Sequence, residues 1–176
     1  MNKKKRRNNP RDKFTRTVCS CKSCISLCKT MPGYLIPGDA ERIASYLSMT
    51  PEELQDLLLA SPGAIVMGPS AFGMVKKRIR TIVPTQRENG RCVFLNIENR
   101  CSIHAVAPYG CGWFDTHQNR EQADERSAAG LRAIATQSAD SSYKVMWRKL
   151  HEKGQDAKSV QSRREAADKS IQEIES

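Results

Sequence analysis

Four cysteines fall between residues 19 and 28, as Cys19-x-Cys21-x2-Cys24-x3-Cys28, and this run constrains the chain more than any other feature. A thiolate is a soft ligand suited to zinc, copper(I) and iron–sulfur iron. Cys21 and Cys24 are three residues apart and Cys24 and Cys28 four, so on a helical turn they share one face. Cys19, two residues before Cys21, is within reach from an extended lead-in. Thiolates this close repel one another unless a cation neutralises them.

Three further cysteines lie far downstream, in Cys92-Val93-Phe94-Leu95, Cys101-Ser102-Ile103-His104 and Gly110-Cys111-Gly112-Trp113-Phe114. Apolar neighbours shield a metal from water and tune its potential. Glycines beside Cys111 allow close backbone approach and amide hydrogen bonds to sulfur. The alternative for these three is burial as small hydrophobes, the common fate of a free thiol. Trp113 and Phe114 read as core residues.

Disulfides are disfavoured. Seven is an odd number, whereas a closed disulfide framework uses an even one. No run approaches the ~18–20 apolar residues of a membrane span. The basic start lacks the apolar stretch of a secretory signal. The expected compartment is the cytoplasm, where thiols stay reduced.

The spacing matches neither the paired C-x2-C knuckles of a zinc ribbon nor the ferredoxin C-x2-C-x2-C run. It points to a metal without naming one. Seven thiolates exceed one tetrahedral zinc site, which favours an iron–sulfur cluster over zinc. His104 lies three residues after Cys101 and His117 six after Cys111; either would supply an eighth ligand and complete two sets of four. His104 reads as a surface or structural histidine. His117 is taken as the ligand, with Asp115 placed to orient its ring. The expected metal ligands are therefore Cys19, Cys21, Cys24, Cys28, Cys92, Cys101, Cys111 and His117. A Cys111–His117 nucleophile–base pair is the competing catalytic reading. It names no reaction, and whether the chain is an enzyme stays open.

The net charge of +10 is unevenly placed. Residues 1–16 carry eight cations against Asp12 alone, so the remaining 160 residues hold only +3. A tail of this kind binds nucleic acid by counterion release or is simply solvated. No aromatic or glycine interleaving suggests base stacking.

Four units are expected: a basic disordered tail (1–17), a cysteine-cluster domain (18–118), a helical extension packed on it (119–154), and a polar helix or tail (155–176). The fold class is α+β, mostly helical and irregular. Ala40, Ile43, Ala44 and Leu47 mark one helix. Thr50, Pro51 and Glu53 form a capping box for the next, with Leu54, Leu57 and Leu58 as its buried stripe and Ser61-Pro62-Gly63 as its stop. A strand over 78–83, the turn Glu88-Asn89-Gly90 and a second strand over 91–95 predict a small hairpin. A third helix carries Leu131, Ile134 and Ala135 and is interrupted by Gly130. A fourth carries Tyr143, Met146, Trp147 and Leu150 and ends at Gly154.

The stretch from Arg91 to Cys111 resembles the C-x-F-L…C-x-I-[YH]-x-x-x-P-x-x-C signature of the YkgJ-like family, bacterial cysteine-cluster proteins that chelate zinc or iron. The upstream cysteine run, followed by Pro32-Gly33 and two short helices, is similar to it as well, so the resemblance covers residues 18–118. Two departures mark a divergent branch. The commoner family run has an adjacent Cys-Cys pair, and Ala107-Pro108 replaces its commoner Arg-Pro. The resemblance implies an iron–sulfur cluster or zinc held by these cysteines, in a redox, sensing or enzyme-accessory role with an unidentified protein partner. A similar pattern occurs in the flagellin lysine N-methylase, an enzyme, so catalysis is not excluded. The alternative is a structural zinc module that binds nucleic acid through residues 1–16.

Overall fold

Local chemistry accounts for the helices of the computed structural model, which describes residues 9–157 except 18, 20, 71 and 72, with backbone alone at 69 and 70. Helix α1 (Pro10–Lys13) is capped by Asn9, whose side chain accepts from the Arg11 amide. Helix α2 (Lys22–Thr30) follows Cys21, which is in extended backbone. Helix α3 (Asp39–Leu47) buries Ala40, Ile43 and Ala44, the periodicity read from the sequence. Helix α4 (Pro51–Gln55) carries the expected capping box. Thr50 Oγ1 accepts from the Glu53 amide at 3.2 Å, and the Glu53 carboxylate accepts from the Thr50 amide at 2.7 Å.

The second helix is shorter than its leucine pattern suggested. It stops at Gln55, and Leu58 opens strand β1 (Leu58–Ser70). Pro62 and Gly63, read as a helix stop, instead sit at a bulge. The register with strand β2 (Gly73–Pro84) runs from Leu58 opposite Pro84 to Ser61 opposite Thr81, then shifts before Ala64. Gly63 adopts φ +69°, and a Cβ there would fall on the Ile79 carbonyl oxygen. The bulge therefore demands glycine.

The partner of β2 is thus β1, not residues 91–95. The Glu88-Asn89-Gly90 turn does form, with the Gly90 amide donating to Arg87 O at 2.9 Å. Beyond it only the single bridges Gln86–Cys92 and Leu95–Cys101 occur. The physical reason is that the Cys92 amide donates to Lys29 O at the end of α2, at 3.0 Å. This segment is drawn to the cysteine helix rather than along a strand.

A 3-10 turn (His104–Val106) leads to the short helix α5 (Tyr109–Gly112). Helix α6 (Arg120–Ala135) has its own reciprocal cap from Asn119 and Gln122, and α7 (Ser142–Glu152) is capped by Ser141. Helix α6 runs through Gly130 without interruption. A Cβ at that glycine would overlap the Tyr34 hydroxyl and the Tyr109 ring, so the residue serves packing.

One apolar core joins these parts: Ile43, Leu54, Leu58, Ile82, Ile103, Tyr109, Leu131, Ile134, Tyr143, Trp147 and Leu150 belong to one buried cluster. The Tyr143 hydroxyl sits inside the bridge between Leu35 and Ile82. It donates to Leu35 O at 2.9 Å and accepts from the Ile82 amide at 3.0 Å. Residues 155–157 lie along β1, where the Ala60 amide donates to Gln155 O and the Ala157 amide to Ala60 O.

Residues 10–17, grouped with the basic tail on charge alone, are packed. Trp113 Nε1 donates to Phe14 O, and the Thr17 amide donates to Gly112 O at 2.8 Å. Arg11 and Arg42 both pair with Asp39, whose side chain is fully buried. Asp39 also accepts from the Ile36 amide at 2.8 Å and the Tyr109 amide at 2.9 Å. The rest of the tail (1–8), and residues 158–176, lie outside the described residues. Helices and one antiparallel hairpin together make an α+β domain. Among the described residues, no helix is long and apolar enough to cross a membrane.

Candidate metal centre

Helix α2 presents the upstream cysteines as their spacing requires. Cys24 and Cys28 lie one turn apart on it, Cys21 is its N-cap, and Cys19 precedes in the lead-in. The loop after α5 then brings His117 across. Its Nε2 lies 3.2 Å from Cys19 Sγ and 3.4 Å from Cys21 Sγ. The ligand atoms of Cys19, Cys21, Cys24 and His117 all fall within 4.8 Å of one another.

Electrostatics act in opposite directions on two of these thiols. The Cys21 thiol is lowered to about 6, first by the Cys24 backbone amide at the helix start and then by His117. Cys19 moves the other way. The Cys21 amide favours its thiolate, but hydrogen bonding with the neighbouring Cys21 and Cys24 thiols raises it. Cys24 Sγ has Thr116 Oγ1 at 3.2 Å and accepts from the Thr116 amide at 3.5 Å. Thr116 had no signal in the sequence beyond its place beside His117.

Asp115 does not orient the His117 ring as expected. Its Oδ1 accepts from the backbone amides of His117 and Gln118, at 2.9 and 3.1 Å. This Asx turn shapes the loop that carries the histidine.

The remaining cysteines are Cys28, Cys92, Cys101 and Cys111. The thiols of Cys28, Cys92 and Cys101 all act electrostatically on that of Cys111. Burial pushes each of the four upward, Cys92 to about 12. Such thiols remain protonated unless a cation compensates the buried charge. Cys111 Sγ accepts from the Gly33 amide at 3.1 Å. That contact needs two glycines: a Cβ on Gly33 would collide with the Gly110 carbonyl group, and one on Gly110 with the Tyr34 amide. The amide bond to sulfur was expected near Cys111, but its donor comes from a distant loop.

A cleft of about 520 Å³ is lined by cysteines of both sets: Cys19, Cys24, Cys28, Cys101 and Cys111. His104 also lines this cleft but stands apart from the compact group. His117 faces Cys19 and Cys21 while Cys111 faces Gly33, so the Cys111–His117 pair considered as a nucleophile and base is not formed.

No curated protein and no solved structure matches this chain. Residues 20–129 match the CxxCxxCC family, described as a putative zinc- or iron-chelating domain. That span contains six of the seven cysteines and His117 and covers well over half of the sequence. With the cysteine–histidine group assembled across it, the chain belongs to this zinc- or iron-chelating family.

Proposed function

We propose that the protein holds two metal ions in closed, structural sites. Cys19, Cys21, Cys24 and His117 bind one, and Cys28, Cys92, Cys101 and Cys111 the other. The convergence of three sulfurs and an imidazole nitrogen within 4.8 Å carries the reading. The second site rests on Cys28, Cys101 and Cys111 lining one cleft; among the described residues only the first group has its ligand atoms within 4.8 Å of one another.

Zinc fits the first group better than a cluster does. A tetrahedral ion about 2.3 Å from each sulfur spaces its ligands about 3.8 Å apart, near the spread seen. An iron–sulfur cluster interposes several atoms and holds cysteine sulfurs further apart. The count of seven thiolates, which favoured a cluster in the sequence, is met equally by two sites of four. Four protein ligands leave no open position for substrate, so the role is to fix the fold. When bound, the ion supplies a cross-link between α2 and the irregular segments 92–117. The chain's own part is to present thiolates, shield them in the cleft and donate amides to sulfur.

Anaerobic purification with elemental analysis and a visible spectrum tests this. Two zinc ions per colourless chain are expected, falling to one in His117→Ala. Iron with inorganic sulfide, in a brown protein absorbing near ~400 nm, replaces zinc by a cluster. Metal-free material that stays folded rejects metal binding altogether.

A further inference from the structure

The even spread of charge outside the tail is a property of composition, not of the surface. No carboxylate occurs between Asp56 and Glu88, while β2 carries Lys76, Lys77, Arg78 and Arg80. Helix α7 packs beside the hairpin, and a cleft of about 320 Å³ lies between α7 and β2. Its lining includes Lys77, Arg78, Arg80, Lys144 and Arg148, and no carboxylate. Among the described residues none of these five is in an ion pair. Acids stand at the margins of α7: Asp140, held low first by the Ser138 hydroxyl and in part by Arg148, Glu41, which accepts from Ser142 Oγ at 3.0 Å, and Glu152 at the helix end. Arg148 itself donates to Ala139 O.

Beyond the cleft the hairpin leaves the core. Met67, Met74, Val75, Lys76 and Lys77 are all exposed. A two-stranded ribbon of this width fits the major groove of a duplex. We infer that the basic ribbon and α7 form a docking face for duplex DNA, read through its phosphates and not its bases. Two aromatic residues line the cleft: Tyr143, buried with its hydroxyl engaged, and Trp147, which is already covered. The Arg80 guanidinium lies 4.6 Å from its centroid, and the His151 ring is stacked at 5.0 Å. No face is left for a base, which separates this surface from single-strand binders. Side chains alternate along a strand, so Lys76, Arg78 and Arg80 share one face of the ribbon, spread over about 13 Å instead of converging as one phosphate requires. Spaced phosphates along a backbone match that arrangement.

The test is fluorescence anisotropy of a labelled duplex of about 20 base pairs against the full-length, metal-loaded chain over a KCl series. Each phosphate contact contributes about −0.9 to the slope of log K on log salt, so Arg78→Gln/Arg80→Gln/Lys144→Gln is expected to flatten it by about 2.7. If that triple variant fails to fold, judged by metal content and circular dichroism, Lys76→Gln/Arg78→Gln replaces it, both residues being exposed. Its expected loss is about 1.8. Lys3→Gln/Lys4→Gln/Lys5→Gln in the tail is expected to retain the ribbon's share of the slope. An unchanged slope in the ribbon variants overturns the inference, as does complete loss of binding in the tail variant. Binding to polyglutamate with none to the duplex overturns it in favour of an acidic protein partner.

Discussion

Replacing Asp39 by alanine removes the acceptor on which four donors converge. Two are the backbone amides of Ile36 and Tyr109, and two are the guanidinium groups of Arg11 and Arg42. Each buried amide left without an acceptor costs about 1–3 kcal/mol. Breaking a buried ion pair by deleting one partner costs about 3–5 kcal/mol. These terms overlap. The Arg42 side chain is 32% exposed and regains water, whereas Arg11 at 14% regains less. A total of about 4 kcal/mol follows, a large share of the ~5–15 kcal/mol that a domain has. With a urea slope of about 2 kcal/mol/M, the unfolding midpoint should fall by about 2 M at unchanged slope. The assay is urea denaturation followed by circular dichroism, with both proteins at the same free zinc so that metal linkage cancels. Asp39→Asn should recover little, because its amide nitrogen faces donors. A midpoint shift under ~0.5 M would refute the reasoning, since the amides and guanidinium groups would then have found other partners.

Two further substitutions test the packing around the thiols. Gly33→Ala should drive the loop off Gly110, break the amide bond to Cys111 and lower metal content by about half, as read by elemental analysis. Tyr143→Phe should strand Leu35 O and the Ile82 amide, a loss of about 2–4 kcal/mol readable as a drop in the urea midpoint without loss of metal.

What the sequence made legible follows from how local each signal was. The capping box at Thr50 and the apolar spacing of α3 are contained in a few residues, and both formed as read. The cysteine run announced α2 for the same reason: its spacing is helical. The hairpin was misassigned because Pro62-Gly63 serves equally as a helix stop and as a bulge. Only the distant strand that receives the bulge decides between them. Asp39 is, locally, only an acid in the first turn of α3, and its role is hidden because its donors come from positions 11, 36, 42 and 109. His117 was within reach of reading, but its partners were not. Cys19 and Cys21 lie almost a hundred residues away, and no local pattern encodes that encounter.

In the two-site arrangement proposed above, helix α2 gives Cys24 to one set of ligands and Cys28 to the other, with a single turn between them. The same five residues must be wound for either group to close. Whichever ion arrives first meets the nucleation penalty of that turn, and the second finds it already wound. The second ion should therefore bind more tightly than the first when zinc is limiting, while a chain that has lost one clasp still closes the other when zinc is in excess.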